Sequence, residues 1–310
     1  MSNPQPLPAH VPVLLDEVVR VLDPRPGLTL VDATLGLAGH AAAVLPGLGP
    51  GGRLIGLDRD PQQLVPARQR LRPLGEEHGV AIELVHADFA DARDVLPGLQ
   101  APRVDRLLAD LGFASNQVDD AARGLSFKHE GPLDMRLDPT QGPTAAELVH
   151  ELPAGELADL LYELGEERLS RRIARKIVEA RAAEPILTTS RLAELVRQAY
   201  GPGGRRQRID PATRTFQALR IAVNRELDAL DRLLRDLPGL MAPGATAAVI
   251  SFHSLEDRRV KRAFQGYEDD GLGRRVTRKP IVAGEAEASQ NPRSRSAKLR
   301  AFAFEDGRVH

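Results

Sequence analysis

Two stretches decide the fold: Leu28-Thr-Leu-Val-Asp32, which runs into Ala33-Thr-Leu-Gly-Leu-Ala-Gly-His40, and Arg53-Leu-Ile-Gly-Leu-Asp58. Each apolar run is short enough for a strand, ends on an aspartate, and leads into a helical pattern. The first predicts a helix over 38–45, stopped by Pro46 and Gly47; the second predicts a helix opened by Pro61, a residue suited to a first turn. Residues 80–86 alternate and 104–110 are apolar, which adds a third and a fourth strand. Strands alternating with helices across short links make βαβ units, hence a parallel sheet covered by helices on both faces.

In such a sheet a ligand sits at the carboxyl ends of the strands. Gly36, Ala38 and Gly39 would let it approach the backbone ahead of a helix N-terminus. A carboxylate at Asp58 can accept both hydroxyl hydrogens of a ribose. The turn does not match the G-x-G-x-x-G dinucleotide fingerprint, and the chain has no G-x-x-x-x-G-K-[ST] phosphate loop. Asp32 beside the turn would repel a pyrophosphate and suit an ammonium group, which favours S-adenosylmethionine over NAD. The competing reading is that Asp32 and Asp58 only cap helices. Ala87-Asp88-Phe89 closes the third strand, where the ring of Phe89 packs either on an adenine or in the core. Asp110-Leu-Gly-Phe113 closes the fourth, nearest the reacting end of a bound cofactor.

The pattern changes after Asp110. Residues 116–208 show no strand and read as a set of helices with Leu157, Leu160, Leu161 and Leu164, then Ile173, Ile177 and Val178, at helical spacing. This predicts a helical domain at 116–208 inserted into an α/β domain made of 1–115 and 209–310. Beyond it lie a single long helix at 211–237, a strand at 245–252, a helix at 254–264, and a terminal hairpin of 275–282 with 298–304.

Composition narrows the chemistry. The 310 residues include no cysteine, so disulfides, thiolate nucleophiles and cysteine-bound zinc or iron–sulfur clusters are excluded. The eight histidines are scattered, and no metal site is expected. Forty-two basic residues balance 43 acidic ones, so any grip on nucleic acid is local. Candidate clusters are Arg205, Arg206, Arg208 and Arg214; Arg293, Arg295, Lys298 and Arg300; and Arg171, Arg172, Arg175 and Lys176. No apolar run is long enough for a membrane span and the start lacks a signal-peptide pattern, so a cytoplasmic protein is expected.

At these motifs the chain resembles the bacterial family that methylates the exocyclic N4 of a cytidine in small-subunit ribosomal RNA. The matching residues run almost end to end. They include His10-Val-Pro-Val-Leu-Leu-Asp-Glu-Val18, Leu57-Asp-Arg-Asp-Pro61, Asp110-Leu-Gly112, Gly131-Pro-Leu-Asp-Met-Arg136, Arg171-Arg-Ile-Ala-Arg175, Pro211-Ala-Thr-Arg-Thr-Phe-Gln-Ala-Leu-Arg220, Val249-Ile-Ser-Phe-His-Ser-Leu-Glu-Asp257 and Asn291-Pro-Arg-Ser-Arg-Ser-Ala-Lys-Leu-Arg300. The resemblance implies a class I methyltransferase fold, a Rossmann-like doubly wound sheet with an inserted helical domain that shapes the RNA site. It implies S-adenosyl-L-methionine held by Ala38, Gly39, His40, Asp58, Phe89, Asp110 and Gln117. It implies 16S rRNA of the decoding region, within the small subunit, as substrate, and is compatible with a homo-oligomer. Two positions depart from the family: Ala38 replaces a glycine, which suits only a position that does not need positive φ, and Ala114 replaces a serine.

For catalysis Asp110, or its neighbouring carbonyls, is expected to accept the amine hydrogens and Phe113, or a nearby ring, to stack the cytosine, after the base has left its stack. His253, at the end of the fifth strand, either reaches the active site or is a histidine satisfied within the structure, and the second reading is preferred. A DNA amino-methyltransferase is the nearest rival, but Leu111-Gly112 stands where those enzymes carry two prolines. The same fold would also serve a non-catalytic ribosome-assembly factor or, against the evidence of the glycine turn, an NAD-dependent oxidoreductase.

Overall fold

The computed structural model describes residues 11–201 and 209–305. These divide into two compact units, one up to Gly112 and again from Leu227, the other Phe113–Glu226.

The first unit begins with α1 (Leu15–Leu22), β1 (Thr29–Asp32), α2 (Gly39–Leu48), β2 (Arg53–Asp58), α3 (Pro61–His78), β3 (Ala81–His86), α4 (Ala92–Gly98) and β4 (Val104–Asp110). The second holds α5 (Ser115–Asp119), α6 (Ala145–Glu151), α7 (Ala154–Gly165), α8 (Ser170–Ala183), α9 (Thr189–Tyr200) and α10 (Ala212–Asn224). The chain then returns through α11 (Glu226–Leu240), β5 (Met241–Ser251), α12 (Ser254–Asp269), β6 (Gly273–Arg275), α13 (Glu285–Gln290) and β7 (Lys298–Phe304).

The seven strands form one sheet in the order β3-β2-β1-β4-β5-β7-β6. The first five are parallel, while β7 runs antiparallel to both β5 and β6. Strand order reverses between β1 and β4, which makes their carboxyl ends the switch point of a doubly wound sheet. The central strands are buried on both faces, which explains their unbroken apolar runs. Alternate side chains feed two cores. Val31, Ile55, Leu57, Leu107 and Val249 join a cluster with α4, α11 and α12; Leu30, Leu54, Leu108 and Ile250 join one with α1, α2 and α3. Leu227, Leu230, Leu233, Leu234 and Leu237 form the buried stripe of α11, each leucine contributing roughly 1.5–3 kcal/mol.

Local chemistry sets the helix ends. Asp60 caps α3 by accepting the Gln62 N–H at 3.1 Å, Pro61 fills the first turn, and Gly79 ends the helix at φ 67°. Thr144 and Glu147 close a reciprocal capping box on α6.

The second unit has its own core, in which Leu157, Leu161, Ile173 and Ile177 meet Leu192, Val196, Phe216 and Leu219. Phe127 and Phe216 pack edge to face at 4.8 Å. This unit ends at Glu226, not at residue 208, because α10 supplies Phe216 and Leu219 to its core. The single helix expected over 211–237 is two helices: Arg225 adopts the left-handed conformation at φ 49°, ending α10 just before the chain crosses between units. Glu166 does the same after α7 at φ 50°, so α8 starts at Ser170.

The terminal hairpin is shorter than expected. Only Gly273–Arg275 pairs with β7, with one further bridge between Ile281 and Leu299, and the intervening segment folds into α13 and a 3-10 turn at Pro292–Ser296. Among the described residues, no helix is long and apolar enough to cross a membrane.

Candidate active site

Three aspartates end neighbouring strands at the switch point. Asp32 closes β1, Asp58 closes β2 and Asp110 closes β4, with Asp32 in register with both Gly56 and Leu108. Backbone N–H groups orient each of them. Thr34 donates to Asp32 at 3.2 Å; Gly36 and Asp60 donate to the two oxygens of Asp58 at 2.7 and 2.8 Å; Gly112 donates to Asp110 at 3.3 Å. The Asp110 N–H donates to the Thr34 hydroxyl at 2.6 Å, tying β4 to the turn after β1. A carboxylate has about four lone-pair sites, so Asp58 retains acceptor capacity for a pair of hydroxyls.

The turn between β1 and α2 is built on positive φ. Gly36 stands at 51° and Ala38 at 57°. Contrary to expectation, Ala38 therefore occupies the left-handed conformation that a methyl group disfavours, at a cost of about 1–2 kcal/mol. Full burial of that methyl group offsets part of the cost. Gly39 is small for a reason other than ligand approach: a Cβ there would lie 2.4 Å from Cγ of Pro12. The segment ahead of α1 thus packs into the notch at Gly39. It also holds His40, whose Nε2 donates to the Val13 carbonyl at 2.9 Å. Since a carbonyl only accepts, Nε2 carries the proton and Nδ1 faces Asp110 Oδ2 at 3.7 Å.

Burial dominates the electrostatics. It pushes the Asp32 carboxyl up to about 7 and that of Asp58 up to about 6, and it raises Asp110 as well. His40 works in the opposite direction on Asp32 and Asp110, while Asp110 and Asp58 raise Asp32 further and Glu256 raises Asp110. Among the described residues, Arg59 beside Asp58 and His40 beside Asp32 and Asp110 lower these acids, but burial outweighs them. The donor set fits a ligand that brings cationic groups and paired hydroxyls, as the cofactor expected from the sequence would.

Phe89 opens a 3-10 turn and lies half-buried against the core cluster, so core packing accounts for at least part of its ring. Its neighbour Asp88 pairs with Arg59 at 3.3 Å.

Sequence reasoning placed His253 at the end of the fifth strand but missed what surrounds it. The Leu111 N–H donates to the Ile250 carbonyl at 2.9 Å, which places the segment after β5 beside the end of β4. A Cβ on Gly112 would lie 2.8 Å from the Phe252 ring, so this glycine makes room for Phe252. Glu256 is buried and accepts from the N–H groups of Phe252 and His253 at 2.8 and 3.3 Å. Its other oxygen lies 3.1 Å from His253 Nε2. That approach is an ion contact off the hydrogen-bonding direction, and neither ring nitrogen of His253 has a hydrogen-bond partner among the described residues. The reading of His253 as a satisfied structural histidine is therefore corrected. The usable signal was the His-x-x-Glu spacing across a helix start.

Phe113 and Gln117 belong to the second unit and are described within it. The Arg220 guanidinium lies 4.7 Å from the Phe113 ring centroid, so one ring face is taken. Gln117 is buried and accepts the Ala114 N–H at 2.9 Å, which ends the preceding loop in the absence of a serine hydroxyl at Ala114.

The basic clusters separate. Arg205, Arg206 and Arg208 lie outside the described residues. Arg214 donates to the Glu166 carbonyl at 3.1 Å. Lys298 and Arg300 both bind Asp257, at 3.2 and 2.7 Å, fastening β7 to the first turn of α12, which gives these two a structural task. Arg171, Arg172 and Arg175 are exposed on α8 and form no ion pair among the described residues.

The MraW methylase family matches residues 8–305. A protein of Acidobacterium capsulatum called Ribosomal RNA small subunit methyltransferase H is 51% identical to the chain over 296 residues, covering 94% of this chain and 97% of its own length. Proteins of the same name from Sorangium cellulosum and a Synechococcus strain are each 50% identical, over 97% and 96% of this chain and 93% and 97% of their own.

Proposed function

The chain belongs to the MraW methylase family, and from that premise we propose that it transfers a methyl group from S-adenosyl-L-methionine to small-subunit ribosomal RNA, at the exocyclic N4 of a cytidine in the decoding region. The observation that carries this reading is the convergence of Asp32, Asp58 and Asp110 at the switch point, each raised by burial. When bound, the cofactor supplies an electrophilic methyl group on a sulfonium.

Each residue has a task in this reading. Asp58 uses its remaining lone pairs on the ribose hydroxyls, and Asp32 faces the ammonium of the methionine part. Backbone at Ala38 and Gly39 borders the ligand, Phe89 offers its exposed side to the adenine, and Gln117 is a further polar group for the cofactor. Asp110 accepts a hydrogen from the target amine. That amine is a poor nucleophile because its lone pair is delocalised into the ring, and an acceptor draws it toward tetrahedral geometry. Asp110 needs its charge for this, and cationic ligand groups nearby return its pKa toward the ordinary carboxylate range. The His40 ring, fixed by the Val13 carbonyl, lies beside the Asp110 carboxylate and works against the effect of burial on it. The free face of Phe113 stacks the flipped base. Arg171, Arg172 and Arg175 form the RNA-facing charge of α8.

Transfer of labelled methyl to isolated small subunits, naked ribosomal RNA and DNA tests the reading, followed by nucleoside digestion. Label in N4-methylcytidine from the small-subunit substrate is expected, and an Asp110→Ala protein should lose at least about 100-fold in turnover. Label in DNA alone, or in another nucleoside, would refute it. Charge reversal at Arg171 and Arg172 should weaken RNA binding and flatten its salt dependence; an unchanged slope removes α8 from the interface.

A further inference from the structure

We infer that His253 Nδ1, with its ring oriented by Glu256, is the acceptor that distinguishes an exocyclic amine from a carbonyl on the target base. The inference rests on the proposed amine target and adds a specificity-determining residue to that site.

Three observations lead there. The His253 side chain is nine-tenths buried, and neither ring nitrogen has a hydrogen-bond partner among the described residues. A buried polar atom left without a partner costs about 1–3 kcal/mol, which folding does not leave standing without a use. Glu256 is itself fixed by two backbone N–H groups, and its free oxygen faces Nε2 at 3.1 Å. A carboxylate beside Nε2 favours the tautomer protonated there, so the lone pair is on Nδ1. The segment lies at the reacting edge: Asp110 pairs in register with Ile250, and the Phe252 ring packs on Gly112.

A buried lone pair welcomes an N–H and repels an oxygen. Cytosine presents an amine at the ring position where uracil presents a carbonyl. A site built to hydrogen-bond one group rejects an analogue that leaves the site's polar atoms unpaired. Asp110 and Nδ1 together supply two acceptors for the two amine hydrogens. A carbonyl in the same place faces two acceptors and no donor.

The test uses the full chain with cytidine and uridine monophosphates, read by ligand-observed nuclear magnetic resonance without turnover. Wild type should bind the cytidine nucleotide roughly ten- to hundredfold more tightly. His253→Leu should lose that preference while keeping its melting temperature and its affinity for the methyl donor. His253→Asn, whose amide oxygen can accept a hydrogen bond, should recover part of it. Nitrogen-15 labelling should show the Nδ1 resonance of His253 moving on addition of the cytidine nucleotide. A wild type that does not tell the two nucleotides apart overturns the inference, as does a His253→Leu protein that still does. Should labelled-methyl transfer by wild type end on a group other than a cytosine amine, the functional reading falls and this inference with it. If the methyl lands on N4 and His253→Leu still discriminates, only the inference falls.

Discussion

Burial raises the carboxyls of Asp32, Asp58 and Asp110, and a cationic ligand should lower them again. Binding of the sulfonium donor near neutral pH should release protons, most strongly between about pH 6 and 7 where Asp58 and Asp32 titrate. Calorimetry in buffers of differing ionisation enthalpy measures it. The demethylated product, which lacks the sulfonium charge, should release fewer; equal release would mean that the acids do not sense that charge. The same burial weakens the ligand-free fold. A carboxyl whose folded value of about 7 exceeds its ordinary 3.8 loses stability as pH rises from about 4 through 7. At 1.36 kcal/mol per pH unit this reaches roughly 4 kcal/mol at most. Asp32→Asn should thus raise the ligand-free melting temperature above pH 7, not at pH 4, while weakening donor binding. Asp32, Asp58 and Asp110 were legible because each punctuates an apolar run. The Pro12 contact with Gly39 was not, because it joins residues that only the fold brings together, and the His253–Glu256 pair left no sign beyond its three-residue spacing. The left-handed φ of Ala38 was also hidden, since alanine gives no hint of it.

Among the elements, β1, β2 and β4 were readable because buried parallel strands write themselves as continuous apolar runs, and the edge strand β3 through its alternation. The start of β5 was not: the strand expected from 245 begins at Met241, and Pro243 and Gly244, with φ 74° at the glycine, sit where the register against β4 shifts. The α10–α11 break escaped detection because both halves keep one helical period and a left-handed arginine carries no signature. Helix packing in the second unit offers a direct check. A Cβ on Gly165 of α7 would lie 2.6 Å from the Arg214 carbonyl oxygen of α10, and backbone cannot step aside as a side chain can. Gly165→Ala should therefore destabilise the second unit by about 1–3 kcal/mol, seen as a lower melting temperature. An unshifted melt would mean that the two helices separate freely.

At the scale of the molecule, two cores share one chain. Ligand binding at the switch point should protect them unequally. At 100 times its dissociation constant the donor stabilises the state it binds by about 2.7 kcal/mol. Hydrogen exchange should show the gain at the ends of β1, β2 and β4, with a smaller one in the α7–α8 pair. Uniform slowing across both units would show that they open as one. The doubly wound class and the presence of an insert followed from the change of pattern after Asp110. The insert's far boundary did not, because α10 is amphipathic like any helix and only its packing partners reveal its allegiance.

The position of β5 has a consequence for how the protein is made. β4 ends at Asp110, but the strand that flanks it begins at Met241. A ribosome adding 5–20 residues each second needs on the order of ten seconds to cover that interval. Throughout it, one side of β4 offers an unpaired apolar edge, the kind of surface on which nascent chains aggregate. The helical insert emerges meanwhile and can bury its own leucines first. Slowed translation across 113–226, or a destabilised insert, should show itself as insoluble product rather than as a poorer catalyst.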